Sequence, residues 1–191
     1  GLGDVYKRQP PPPRLRDVAL GLAPELAAEL QKKVRIAALR ASVAQDLGFI
    51  VPSVRIRDSS AIAPTHYRIK VKGGIVGEGA LHPDRRMVVI GETPPADLEG
   101  IDEREPAFGL KARWIELGDA EDARRMGLNT VDAASVLLTH LSEVVRRHAD
   151  ELLTREEVSR LVDQLREVAP RLVEEAIGQG VPLPRLHLVL R

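Results

Sequence analysis

The chain has 191 residues, with 28 Lys plus Arg against 28 Asp plus Glu, and no Cys. Zero net charge gives no basis for a nucleic-acid or anionic-membrane partner, and zero Cys excludes disulfides, Cys-ligated metals and thiol catalysis together. A hydrophobic content of 43% is ordinary for a globular chain, and no apolar run approaches the length of a membrane span.

The first residue is Gly, and GLGDVYKRQ resembles a translated adapter sequence. Residues 1–13 are therefore expected to be a non-native leader and tether, and the chain a fragment. Pro10 to Pro13 reads as a short, stiff polyproline II segment. From Pro24 to Leu47, apolar residues recur at three- and four-residue spacing, which predicts a helix with Pro24 in its first turn and Gly48 past its end.

Strands follow. Val54–Asp58 alternates apolar and polar residues, and Tyr67–Lys72 alternates more strictly, with Tyr67, Ile69 and Val71 on one face. Gly73-Gly74 is read as the turn into a strand from Ile75 to Ala80. One wet face favours antiparallel pairing. Arg86–Ile90 and Lys111–Leu117 are two further strands, separated by a loop from Glu92 to Gly100.

The rest of the chain reads as helical. Asp119–Met126 forms a short helix ending at Gly127. Asp132 caps the next helix, which runs to about His148 and buries Ala133, Val136, Leu137, Leu141, Val144 and Val145. Thr154 and Glu157 form a capping box for a helix carrying Val158, Leu161, Val162 and Leu165. Pro170 opens another, with Leu172, Val173, Ala176 and Ile177, closed by Gly178, and Pro184 opens a last one. This order predicts an α+β domain followed by a helical unit.

Signals for covalent chemistry are weak. Gly74-Ile-Val-Gly-Glu-Gly79 lacks the spacing of a phosphate or dinucleotide loop and reads as a hairpin with glycines at tight positions. His66, His82, His140, His148 and His187 are scattered, without metal-ligand spacing. Asp58-Ser59-Ser60 reads as turn chemistry, and the acid pairs Glu156-Glu157 and Glu174-Glu175 as solvated helix faces. The aromatics are more informative. The single Trp and one of two Phe lie together in Glu105-Pro-Ala-Phe-Gly-Leu-Lys-Ala-Arg-Trp-Ile115. Phe108 sits in a turn-like setting, so it either plugs a core from a loop or is offered to a partner.

Three blocks carry a family resemblance in order and spacing. They are Val54–Asp58 with His66–Gly73, then Glu105–Leu110 with Ala112–Ile115, then Val136–Val145 with His148–Leu153 and Arg155–Val158. Together they resemble the C-terminal cytoplasmic domain of the flagellar type III export gate family, FlhA or FHIPEP, from about Leu15 to Arg191. The resemblance implies an α+β fold: a small mixed or antiparallel sheet domain with an inserted α/β subdomain, followed by a truncated helical subdomain. The first subdomain would be residues 14–83 plus 133–152, the inserted second 84–132, and the start of the third 153–191.

It also implies a function. The family builds a nonameric ring at the cytoplasmic face of the bacterial inner membrane and docks chaperone–substrate complexes awaiting export, beside other export-apparatus proteins. Neither enzyme activity, cofactor nor nucleic acid is implied, and the membrane is met only through an N-terminal part. A hydrophobic dimple between the first two subdomains maps to Glu105, Phe108, Val131 and Thr139. The family commonly has Asp where this chain has Glu105, so charge is kept with the carboxylate one methylene further out. Phe108 would anchor the partner, Val131 extend the apolar floor, and Glu105 and Thr139 form a polar rim. Injectisome-type gates match the helical part more loosely and lack the Pro-Ala-Phe-Gly block, which favours the flagellar branch. An unrelated α+β small-molecule enzyme and a purely ring-building piece are the alternatives.

Overall fold

The structure is a computed structural model that describes residues 18–24, 26–27, 45, 54–90, 98–178, 180, 182 and 185–186. The chain divides into two compact units, residues 1–34 with 52–137, and residues 35–51 with 138–191.

The first unit contains two four-stranded sheets. The first is ordered β2-β1-β3-β4, from β1 (Val18–Leu22), β2 (Val54–Asp58), β3 (His66–Val71) and β4 (Gly74–Ala80). The predicted face of Tyr67, Ile69 and Val71 is buried. It lies opposite Leu22, Leu20 and Val18 of β1 in antiparallel register, and these three are buried too. At roughly 1.5–3 kcal/mol per fully buried large apolar side chain, this two-strand stripe is a main source of cohesion in the sheet.

β1 was not foreseen. It is short, and it precedes the strong helical pattern that begins at Pro24. It is nevertheless central, and it pairs with β2 in parallel rather than antiparallel, so the sheet is mixed. Parallel neighbours need a long crossover, which residues 23–53 supply. Most of the predicted Pro24–Leu47 helix lies outside the described residues, as do Glu92 to Asp97, His187 and most of the helix predicted at Pro184. Residues 1–13 also lie outside them.

The β3–β4 turn is Lys72-Gly73 rather than Gly73-Gly74, with φ of 51° and 88°. Two positive φ values give the backbone twist that suits a two-residue hairpin. Gly79 has a different purpose: a Cβ there would come within 2.9 Å of the Tyr67 hydroxyl. The glycine lets the Tyr67 ring lie against β4.

The second sheet is ordered β6-β7-β5-β8, from β5 (Arg85–Val89), β6 (Ile101–Arg104), β7 (Lys111–Glu116) and β8 (Thr130–Asp132), all antiparallel. One face carries a cross-strand row, Ile101–Trp114–Met87–Val131, with Trp114 and Met87 fully buried at its centre. The opposite face packs Val88, Ile90 and Ile115 with Leu98, Ala123 and Leu128. Ala123 lies on helix α1 (Ala120–Arg125). β6 and β8 were not foreseen, since Ile-Asp-Glu-Arg is too charged to read as a strand and Thr-Val-Asp is very short. Both are edge strands, where short and charged segments are usual.

Helix α2 (Ala133–Arg147) continues the chain from the first unit into the second. Asp132 precedes it and its Oδ1 accepts the Ser135 N–H at 2.8 Å, as expected of an N-cap. All six predicted inward residues of α2 are buried. The second unit continues with α3 (Ala149–Leu152), α4 (Arg155–Val168), α5 (Pro170–Val173) and a π-helical turn at Glu174–Gly178. Thr154 precedes α4 as predicted, and its carbonyl accepts the Val158 N–H. The Glu157 half of the capping box lies outside the described side chains. Val158 and Val162 are buried, but Leu165 and Leu172, expected on inward faces, are exposed. Helical periodicity identifies an apolar face without specifying what covers it. No helix among the described residues is long and apolar enough to cross a membrane.

Candidate docking turn and its neighbours

The β6–β7 hairpin is closed by residues 105–110, the stretch that holds Phe108. Arg104 pairs with Lys111 at its base. The turn is built around Glu105. Its N–H donates to the Leu110 carbonyl at 2.7 Å, and its carbonyl accepts the Gly109 N–H at 2.8 Å. Its carboxylate folds back: Oε1 accepts the Ala107 N–H at 2.9 Å and Oε2 the Phe108 N–H at 2.8 Å. Pro106 has no N–H to satisfy. Gly109 adopts φ of 72°, the left-handed conformation that a side chain would strain. Arg104 closes the outside by donating from Nη1 to the Gly109 carbonyl at 2.9 Å.

Every backbone N–H from 105 to 109 is therefore satisfied inside the turn, three of them by Glu105 alone. Hydrogen bonds to a charged acceptor contribute roughly 1.5–3 kcal/mol each, so the two to the carboxylate hold the loop, and the buried Ala107 adds to them. Glu105 is 8% exposed, whereas Phe108 is 58% exposed. The Phe108 ring therefore stands in solvent on an ordered backbone. Leu110, also exposed, flanks it. Trp114 takes the opposite role, fully buried with its ring edge-on to His82 at a centroid distance of 5.3 Å.

Glu105 and Phe108 thus share one turn. Val131 is half-buried on β8, at the far end of the cross-strand row from β6. Two inter-strand spacings and three residues of rise separate it from Lys111 by roughly 14 Å, so Val131 does not belong to the turn. Thr139 is an exposed residue of α2 in the second unit. The role of Glu105 as a turn organiser was not legible in the sequence. A Glu two and three residues before backbone N–H groups of a turn is the available signal, and a solvated Glu gives the same pattern.

His82 Nε2 is 3.7 Å from one Glu103 carboxylate oxygen. His66 is exposed beside Thr65, His140 is buried, and His148 Nδ1 lies 2.8 Å from Glu151. Among the described residues no group of three metal-ligating side chains comes together. Ser59 is a turn residue: its N–H donates to the Leu22 carbonyl and its carbonyl accepts from Ile62. Burial raises the Tyr67 phenol well above its usual range, assisted by the negative charges of Glu105 and Glu103.

Comparison with known proteins gives a consistent result. The flagellar biosynthesis protein FlhA of Bacillus subtilis is 44% identical over 157 residues, covering 82% of this chain and 23% of that protein. The FlhA protein of Helicobacter pylori is 38% identical over the same length, 82% of this chain and 21% of its own. This chain thus spans under a quarter of the curated relatives it matches. Among solved structures, the CdsV protein of Chlamydia pneumoniae superimposes with a TM-score of 0.79 at 22% identity, covering 91% of this chain and 54% of that one. The nonameric SctV-C of EPEC gives 0.67 at 15% identity, covering 94% and 54%. These likenesses establish the fold, including its mixture of helices and two small sheets. The FHIPEP family model matches residues 14–191, and with the FlhA relatives it shows that this chain belongs to the FHIPEP family.

Proposed function

We propose that this chain is part of the cytoplasmic docking platform of a flagellar type III protein export gate, and that it binds chaperone–substrate complexes awaiting export across the inner membrane. It works by binding, without covalent chemistry. Phe108 carries the reading: a large aromatic, 58% exposed, on a turn whose backbone donors are satisfied internally. Such a ring can be buried in a partner with little ordering cost, and aromatics of this kind are typical interface anchors. The family resemblance adds Glu105, Val131 and Thr139 to the residues that serve docking: Glu105 shares the Phe108 turn, Val131 lies roughly 14 Å along the same sheet from its base, and Thr139 belongs to the second unit.

Residues 84–132, which contain the whole second sheet, form the inserted second subdomain. Residues 14–83 with 133–152 form the first, and 153–191 begin a helical third. Sequence identity to flagellar relatives, 44% and 38%, against 22% to CdsV, favours the flagellar branch over an injectisome gate. Ring assembly, as in the nonameric EPEC protein, and contact with other export-apparatus proteins belong to the same proposal. The site lies on the cytoplasmic side of the inner membrane.

The test is calorimetric titration with a purified flagellar export chaperone–substrate complex from Bacillus subtilis. Phe108→Ala weakens binding by at least about 2 kcal/mol, the hot-spot scale, and leaves the circular dichroism unchanged. Equal affinity of variant and parent, with the fold intact, removes Phe108 from the site.

A further inference from the structure

We propose that His82 and Glu103 form a pH-operated latch, which fastens the edge strand β6 to the connector between the two sheets when the imidazole takes up a proton. His82 lies in that connector, between the end of β4 at Ala80 and the start of β5 at Arg85, and its carbonyl accepts the Arg85 N–H at 3.0 Å. Glu103 lies on β6, which runs directly into the turn at 105–110. His82 Nε2 is buried and has no hydrogen-bond partner among the described residues. It stands 3.7 Å from Glu103 Oε1, with the two side chains 16% and 28% exposed. That separation is within ion-pair reach, yet about 1 Å longer than a charge-assisted N–H to carboxylate bond.

A neutral imidazole leaves this contact open in either tautomer. A lone pair on Nε2 faces a carboxylate, and an N–H there stops short of it. The imidazolium places an N–H and a positive charge at Nε2 together, where partial burial limits screening of the attraction. The buried Trp114 ring meets the imidazole edge-on at 5.3 Å, so the closing movement falls to Glu103 and its strand. The neighbouring charges are few. β6 presents Glu103 to His82, and β7 presents the uncharged Trp114 ring. Asp84 and Arg85 follow in the connector, and Arg85 is drawn to Glu116 at 3.5 Å. Glu103 shares a groove with His66 and Tyr67 of β3, and with Arg68 and Glu78, which pair at 3.6 Å. Glu103 and Glu105 both act on the Tyr67 phenol. Between pH 5 and 8 an imidazole changes charge, while an ordinary carboxyl is ionised and a phenol neutral.

The latch belongs to the free chain and stands whether or not Phe108 docks a partner. Urea denaturation of the 191-residue chain at pH 8 and pH 5.5, read through Trp114, tests it. On going from pH 8 to pH 5.5 the parent gains on Glu103→Gln by roughly fivefold in the folded-to-unfolded ratio, the upper range for a partly exposed ion pair. In a His82→Gln background Glu103→Gln shows no such gain. In a His66→Gln background, which lacks the other titratable ring of the groove, the gain is kept. The emission of folded Trp114 also changes between the two pH values, because the ring beside it becomes charged, and His82→Gln abolishes that change. A ratio of parent to Glu103→Gln that is the same at both pH values overturns the latch. So does a gain that survives in His82→Gln or disappears in His66→Gln. If His82→Gln does not fold, the ratios in the parent and His66→Gln backgrounds decide, and a Trp114 emission that is constant from pH 8 to pH 5.5 overturns the latch by itself.

Discussion

Asp132 joins β8 to α2 through two interactions that can be separated. Oδ1 caps the helix through Ser135 N–H at 2.8 Å, and Oδ2 meets Arg86 Nη1 at 3.3 Å. Loss of an N-cap costs typically about 1 kcal/mol. The ion pair is partly exposed on both sides, so screening limits it to about 0.5 kcal/mol. Asp132→Ala therefore destabilises the first unit by about 1.5 kcal/mol. Asp132→Asn, which keeps a capping oxygen and loses the charge, costs about 0.5 kcal/mol.

The carboxyl also predicts a pH dependence. Burial alone would raise its pKa. The Ser135 hydrogen bonds, the Arg86 charge and the Ala134 N–H outweigh burial and hold it below its usual value. A depressed native pKa contributes stability that is present above the unfolded value, about 4, and is lost as pH falls through the native value. The gap between parent and Asp132→Asn is therefore full at neutral pH and closes in acid. Urea denaturation followed by fluorescence measures both effects, because Trp114 is the only Trp and lies buried in the same unit. If Asp132→Asn costs as much as Asp132→Ala, the cap reasoning is refuted. A gap that stays constant as the pH falls refutes the linkage.

Tyr67 predicts the opposite limb. Its native pKa is raised by burial and then by Glu105 and Glu103, so its contribution is full below about pH 10 and falls as pH rises above that. The loss approaches about 1.4 kcal/mol per pH unit, and Tyr67→Phe flattens it; equal alkaline slopes in the two proteins contradict the assignment. Gly100 has no room for a side chain, since a Cβ would press on the Trp114 carbonyl and the Arg113 stem. Gly100→Ala should cost about 1–3 kcal/mol in the same denaturation assay, and a neutral result would mean that β6 relaxes freely. Lys72 occupies a left-handed position at φ 51°, so Lys72→Asn relieves strain and stabilises by about 0.5 kcal/mol. A lowered melting temperature for that variant would show that the Lys72 side chain stabilises the hairpin more than its backbone strain costs.

The parts of the fold legible in the sequence are those with local causes. Alternation placed Tyr67, Ile69 and Val71 on one buried face, and three- and four-residue spacing selected the six inward residues of α2. Asp132 was recognisable as a cap because the chemistry of an N-terminus is local. Elements whose existence depends on a neighbour were not legible. β6 is a strand because β7 lies beside it, and β8 because β5 does. Leu165 and Leu172 carry the right period, yet only tertiary packing decides whether such a face is covered.

The same division runs through the candidate site. Composition and turn chemistry alone single out a rare aromatic at Phe108 with a glycine after it. Exposure is a property of the whole unit, so only the structure separates Phe108, standing in solvent, from Trp114, buried six residues on. The sequence shows that position 105 carries a charge. Which way that charge points is decided by the closing of the β6–β7 hairpin, which brings the Ala107 and Phe108 N–H groups within reach of the carboxylate and turns it inward.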